Sequence, residues 1–260
     1  MSTSDQFPPD RPEVDLTLFV ACYNEEKNIR GTLETVQQAL AEFRFTWEII
    51  VIDDCSTDLS VAVIREYMTG HPDLPIYLKV NEINRGLGYN FTECAFLGKG
   101  TYYRLVCGDD VEPLETFRTV FGALGKADMV LCRQTCTGRT VFRRTLSRTY
   151  NWLVNTIGGY NISYYHGLAM HLRYNVMRWH SGSEGFGFQA DLITRLLDQD
   201  VPYIEVETKA RERETGHSKA LHLGNFLSVA HMFQELLIRR VKRQMRLSRE
   251  RKKTTKFSRE

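Results

Sequence analysis

The sequence predicts an α/β domain built on one mostly parallel sheet flanked by helices, and three observations carry that expectation. Short continuous apolar runs at Leu16–Cys22, Trp47–Ile52, Ile76–Val80, Tyr102–Cys107 and Met129–Cys132 read as strands buried on both faces. Segments with helical spacing separate them, so successive strands join through right-handed helical crossovers. Acidic, turn-forming motifs then close three of the strands: Tyr23-Asn24-Glu25, Asp53-Asp54 and Asp109-Asp110. In an open parallel sheet the carboxyl ends of the strands are where ligands bind.

Residues 1–14 hold three prolines among polar residues and read as a disordered leader. After the first strand, Leu33, Val36 and Leu40 recur at helical spacing, with Glu25 and Glu26 near the start, where the helix dipole favours anions. Ser56-Thr57-Asp58 is expected to cap a second helix reaching about Met68. A glycine-containing turn leads to a helix near Leu87–Leu97, and Pro113 opens the next one. From Gly138 the character changes to an arginine-rich helix through Trp152-Leu153-Val154, an apolar strand Leu168–Leu172, a helix Asp191–Leu197 and a last strand Val201–Val206. The domain thus spans 15–220, with a nucleotide-binding half (15–137) and an acceptor half (138–220). An amphipathic helix and basic tail follow at 221–260.

The 260 residues carry a net charge of +2 that hides an asymmetry. Residues 239–260 hold 11 Lys/Arg against 2 Glu, or +9, which leaves 23 bases and 30 acids, or −7, in the first 238. The tail therefore wants an anionic partner. It lacks interleaved aromatics, which sets nucleic acid aside. Six cysteines in a chain this long are not a disulfide framework, and several sit in apolar runs as small hydrophobes, in keeping with a reducing cytosol. No apolar run approaches the ~18–20 residues that cross a bilayer.

Seven residues, Arg213-Glu214-Thr215-Gly216-His217-Ser218-Lys219, place two cations, a hydroxyl and a flexible glycine on one loop, suited to gripping phosphate. Both common phosphate cradles are excluded. The turn after the first strand holds Glu25 and Glu26 where a dinucleotide fold needs bare glycine amides, and no Gly-x-x-x-x-Gly-Lys-Ser/Thr occurs. The remaining solution neutralises a diphosphate with aspartates and a divalent cation, Mg or Mn.

These motifs resemble the family 2 glycosyltransferases of the GT-A fold. They are closest to the branch of dolichol-phosphate mannose synthase and its bacterial polyprenyl-phosphate relatives, over about Leu16 to Lys219. The matching positions are Tyr23-Asn24-Glu25-Glu26 with Asn28-Ile29, Val51 to Asp58, Asn84-Arg85-Gly86, and Arg213-x-x-Gly216-x-Ser218-Lys219. The resemblance implies a nucleotide-sugar donor held by Ala21, Tyr23, Asn24, Glu25, Asp53, Asp54, Gly86, Gly108, Asp109 and Ser218. It also implies an inverting transfer in which Asp109, Arg213 and Lys219 stabilise the leaving diphosphate. The family's Asp-x-Asp falls on Cys107-Gly108-Asp109, where a thiol replaces the first carboxylate and is a poor ligand for a hard cation. Asp109 is left as the expected metal ligand, helped by Asp110 or Glu112. At Ser163-Tyr164-Tyr165-His166-Gly167 the chain again departs from the branch, which puts the acceptor in doubt more than the reaction.

By the same resemblance Arg133, Arg144, Ser147 and Arg148 match positions that bind a lipid phosphate, an acceptor already ionised near pH 7. Asp191 stands where other family members keep a catalytic base, and equally where a helix start favours an acid. Three functions follow: transfer to a polyprenyl phosphate, transfer to a sugar or lipid hydroxyl with Asp191 as base, and nucleotide-sugar binding without catalysis. Phe226, Val229, Ala230, Phe233, Leu236, Leu237, Val241 and Met245 trace an apolar face flanked by arginines. That helix lies in an anionic membrane interface or packs on the domain. The first reading makes the protein cytoplasmic and peripheral to the inner face of the membrane, with room for a membrane-protein partner.

Overall fold

A computed structural model describes residues 7–8, 10–136, 141–179, 187–211, 229–243 and 245. The elements run β1 (Val14–Cys22), α1 (Ile29–Leu40), β2 (Trp47–Asp53), α2 (Ser60–Gly70), β3 (Ile76–Val80), α3 (Leu87–Leu97), β4 (Gly100–Cys107) and α4 (Leu114–Phe121). They continue with β5 (Met129–Cys136), α5 (Val141–Gly158), β6 (Met170–Leu172), α6 (Arg173–Trp179), α7 (Phe188–Leu197) and β7 (Tyr203–Ala210). A further helix, α8, covers 229–243. The strands form one sheet in the order β3-β2-β1-β4-β6-β5-β7.

The apolar runs become the central strands because both their faces are covered. Leu18 and Val20 of β1 pack with Leu33, Val36 and Leu40 of α1 and Phe117 and Phe121 of α4. Phe19 turns to the other face, with Ile50, Tyr103, Leu105 and Phe91. Each such side chain contributes about 1.5–3 kcal/mol on burial.

β6 pairs antiparallel with both β4 and β5, while the other pairings are parallel. α5 descends from the end of β5, and the segment after it climbs back along the sheet. Asn155 fastens that segment at Ile162, Asn151 at Ser163, and Gly167 lies so close to the Cys132 carbonyl that a Cβ would sit 2.0 Å from it. The chain therefore re-enters the sheet from its carboxyl edge, and β6 runs downward.

The expected disordered leader is docked where it is described. Arg11 donates to Glu48 (2.5 Å) and to the Leu97 carbonyl (2.6 Å), and its guanidinium lies 4.9 Å from the Phe7 ring and 4.8 Å from that of Tyr77. A buried carboxylate that also accepts from Thr17 and the Lys99 amide needs this cation, so the leader closes the lower edge of the sheet. The second helix also starts later than expected, at Ser60, with Asp58 accepting from the Ser60 amide at 2.9 Å.

His171 of β6 is buried, and burial alone lowers its pKa from 6.5 to about 4. Above pH 6.5 the ring is neutral in both folded and unfolded chains. As pH falls from 6.5 toward 4, the unfolded chain takes up a proton that the core refuses, and stability is lost. The loss over that window is about 3 kcal/mol. Urea unfolding at pH 7 and pH 4.5 should therefore show the wild type losing roughly 2–3 kcal/mol more than His171→Leu. Equal losses would mean that His171 is not the group responsible.

Candidate functional site

The carboxyl ends of β1, β2 and β4 meet in adjacent turns, and hydrogen bonds fasten the first two together. Asn24 accepts from the Thr57 amide (2.8 Å), and its own amide donates to Ser56 Oγ (2.9 Å). The Glu25 amide reaches Ser60 Oγ (2.8 Å), while Glu26 and Asp58 exchange bonds with each other's turns. Burial raises the Asp58 pKa, but the Ser60 hydroxyl and amide, with the Glu26 amide, outweigh it and leave the carboxyl below its ordinary value. Asn24, Cys55 and Asp110, with φ of 56°, 66° and 53°, all take the left-handed region at this edge. Such concentration of unfavourable backbone at one rim marks a functional site.

Asp53 and Asp54 have different employments. Asp53 is fully buried and accepts from the Ser56 amide (2.9 Å) and hydroxyl (2.5 Å), so it shapes its own turn. Asp54 accepts from Asn81 Nδ2 (2.9 Å) and from the amides of Arg85 (2.8 Å) and Gly86 (2.9 Å). Asn84 adds a bond to the Asp54 carbonyl (3.1 Å). Gly86, at φ 84°, is the residue that lets both amides turn toward one carboxylate.

The β4–α4 turn presses against β1. The Gly108 amide donates to the Ala21 carbonyl (2.9 Å), and a Cβ on Gly108 would lie 2.9 Å from that same oxygen. Burial pushes the Cys107 thiol well up, and the nearby charges of Asp109 and Glu112 push the same way. A protonated thiol is no ligand for a hard cation. Asp110 turns onto the first turn of α1: its amide donates to Thr32 (3.0 Å), and a Cβ on Gly31 would lie 2.8 Å from its Oδ2. Asp110 thus lies against the first turn of α1. Glu112 is spent on Arg104 (2.5 Å). Asp109 therefore remains as the carboxylate at the rim, and no cluster of three acidic, His or Cys residues stands ready for a metal among the described residues. That donor set fits a cation such as Mg or Mn that takes most of its oxygens from a diphosphate and water.

On the other half, α5 follows β5. Arg144 and Arg148 are exposed there and Ser147 is half-buried. Arg133 of β5 makes a 3.4 Å exposed pair with Glu207 of β7. The His166 ring lies tilted against Tyr150 (ring centres 4.5 Å apart) and edge-on to Tyr164 (5.7 Å). The Val111 carbonyl accepts from the Arg211 amide (2.9 Å), which brings the end of β7 beside the Asp109 turn. Arg213, Gly216, Ser218 and Lys219 lie outside the described residues, and Arg211 is the last before them.

Asp191, in the first turn of α7, is only 3% exposed and has both oxygens engaged. Oδ2 faces Arg195 Nε (3.0 Å) and Oδ1 faces Arg239 Nη2 (3.2 Å). Arg239 also donates to Thr194 (2.7 Å) and approaches Asp198 (3.5 Å). α8 is thus bolted to α7, with Met232 and Leu236 buried beneath it and Phe233 against Tyr150. Sequence reasoning missed Arg239 and Arg104, whose partners lie 48 and 8 residues away. A lone arginine inside the apolar run of β4 was the available signal for the second.

The comparisons with known proteins agree with this arrangement. The profile described as "Glycosyl transferase family 2" matches residues 17–186. A dolichyl-phosphate beta-glucosyltransferase of Trichomonas vaginalis is 30% identical over 113 residues, 42% of this chain and 34% of that protein. The dodecaprenyl-phosphate galacturonate synthase of Rhizobium johnstonii is 33% identical over 75 residues, 29% of this chain and 21% of that protein. The matches thus span about a third or less of these relatives. Among solved structures, glucosyl-3-phosphoglycerate synthase of Mycobacterium tuberculosis with Mn2+ and UDP-glucose superposes with a TM-score of 0.65 at 15% identity, covering 85% of this chain and 78% of that one. The mannosyltransferase PcManGT of Pyrobaculum calidifontis with GDP-mannose and Mn2+ gives 0.60 at 17% identity, covering 93% and 77%. The shared sheet, the acidic turns along its carboxyl edge and a profile match over most of the domain make this chain a member of glycosyl transferase family 2.

Proposed function

We propose that the protein transfers a sugar from a nucleoside-diphosphate sugar to a polyprenyl phosphate, with inversion at the anomeric carbon. The observation that carries this choice of acceptor is the state of Asp191. A hydroxyl acceptor needs a base with a free lone pair beside it. Asp191 instead faces guanidinium groups on both oxygens, in a buried setting where removing either partner is costly. A phosphate acceptor arrives ionised and needs no such base. The names of the polyprenyl-phosphate relatives support the same reading.

In the reaction an acceptor phosphate oxygen attacks the anomeric carbon while the bond to the diphosphate oxygen breaks and its electron pair leaves with the nucleoside diphosphate. Asp53 and Asp54, with Tyr23, Asn24 and Glu25, form the nucleoside side of the site. Asp109 would hold a divalent cation, which when bound would supply positive charge to the departing diphosphate; the Mn2+ in the two structural neighbours supports this reading. Arg213 and Lys219, outside the described residues, are proposed to meet the same charge. Arg144, Ser147 and Arg148 take the lipid phosphate. Arg133 joins them by exchanging Glu207, an exposed pairing worth at most about 1 kcal/mol.

No described helix is long and apolar enough to cross a membrane. Leu237, Val241 and Met245 of the last helical stretch stay exposed beside Arg240 and Lys242, and this strip is proposed to rest on an anionic, cytoplasmic membrane surface. On this reading one face of the helix packs on the domain and the other meets the membrane.

Replacing Asp191 by Asn is the test of acceptor class. In the folded variant, transfer to a polyprenyl phosphate should stay within about tenfold of wild type, because no proton is taken from the acceptor. A fall of two or more orders of magnitude, with a near-wild-type melting temperature, would instead establish Asp191 as the base and a hydroxyl as the acceptor.

A further inference from the structure

Arg104 projects from the middle of β4 into the core and is fully buried, and Glu112, just before α4, is 9% exposed. Their Nη2–Oε1 separation is 2.5 Å, and the guanidinium lies 5.2 Å from the centre of the Phe117 ring. Nε and Nη1 of Arg104 and Oε2 of Glu112 find no hydrogen-bond partner among the described residues. A pair so incompletely satisfied is a poor stabiliser, since apolar residues of similar volume do as well or better. Its location is more informative. Glu112 closes the turn that begins at Gly108 and carries Asp109. The neighbouring Val111 carbonyl holds the Arg211 amide at 2.9 Å, and Thr116 exchanges bonds with Lys209 (2.7 and 3.0 Å). One turn is therefore tied from below to β4 and from the side to the end of β7, from which the chain continues to Arg213 and Lys219.

Resting on the metal–diphosphate reading above, we infer that Arg104 and Glu112 are positioning residues that hold the Asp109 turn in fixed register with β4 and the end of β7, so that Asp109 meets a cation–diphosphate complex in one place. Neither touches the donor. Without the pair, the turn is no longer held from below and Asp109 loses its place on the cation, while the nucleoside end, built on Asp54 and Gly86, is untouched.

The test compares wild type with the double variant Arg104→Met/Glu112→Leu, using Mn2+ with UDP and, separately, Mn2+ with GDP as probes. Mn2+ binding is followed by electron paramagnetic resonance and nucleotide binding by calorimetry. The double variant should melt within a few degrees of wild type, yet bind the Mn2+–diphosphate complex at least tenfold more weakly, with affinity for metal-free UMP or GMP unchanged. Arg104→Lys keeps a cation beneath Glu112 and should recover most of the loss. It also serves if the double variant does not fold, because affinity indistinguishable from that of a folded Arg104→Ala would overturn the inference. A folded double variant that binds within twofold of wild type would overturn the positioning role alone. Wild-type protein that binds neither complex would overturn the donor site itself, and this role with it.

Discussion

Asp109→Ala should abolish cation-dependent binding of the nucleotide sugar and lower transfer by about 10²–10³-fold, the size of effect seen when one preorganised electrostatic contact to developing charge is removed. The expectation follows from what the other acids of the turn are doing. Asp110 is folded onto α1, Glu112 is paired with Arg104, and burial keeps Cys107 protonated. With those groups directed elsewhere, the loss should be deep rather than partial. Cys107→Ala should cost less than about threefold, because a neutral thiol contributes no charge to a diphosphate. Titrating Mn2+ into each variant with UDP and with GDP, alongside turnover, checks both. Equal tolerance of the two substitutions would remove Asp109 from the metal site.

Asp54→Asn should produce the largest loss of stability of any single polar substitution at the rim. The carboxylate accepts two backbone amides and Asn81, and Asn81 in turn donates to Asn90 at 2.8 Å. An amide at position 54 presents an NH2 where acceptors are needed, leaving one or two buried donors unpaired at about 1–3 kcal/mol each. For a domain of this size the melting temperature should fall by roughly 5–15 °C. Nucleotide affinity should fall with it, because the 81–86 segment that forms the floor of the site is no longer held. Asp53→Asn should lower stability with a smaller effect on binding, since Asp53 is fully buried and serves Ser56. If Asp53→Asn lost binding more steeply than Asp54→Asn, the assignment of the two acids would be reversed.

The architecture was legible because local and global signals agree along the first half of the chain. β3 and α3 fall on the expected residues, Ile76–Val80 and Leu87–Leu97, since Pro75 and Gly86 punctuate the pattern on either side. β7 runs farther than its apolar content suggests, to Ala210, because pairing with β5 along its whole length carries Glu205, Glu207 and Lys209 into the strand. α6 is seven residues long and carries little helical pattern, so nothing in the sequence announced it. In the site, Asp109 and Gly86 could be placed from their turns. The fates of Asp53, Asp110 and Asp191 could not, because each depends on a neighbour in space: Ser56 by a local turn, Gly31 of α1, and Arg239 from a helix expected to serve the membrane. Cutting the chain at residue 239 would thus do more than remove basic charge, since it strips Asp191 and Asp198 of a partner.

The central claim concerns the bond that is made. Purified protein is incubated with Mn2+, a panel of labelled UDP- and GDP-sugars, and either a short-chain polyprenyl phosphate or the matching polyprenol. The account predicts cation-dependent label transfer to the phosphate, giving a sugar phosphodiester that mild acid releases, and none to the alcohol. Transfer to the polyprenol or to sugar hydroxyls, with the polyprenyl phosphate left unmodified, would contradict it.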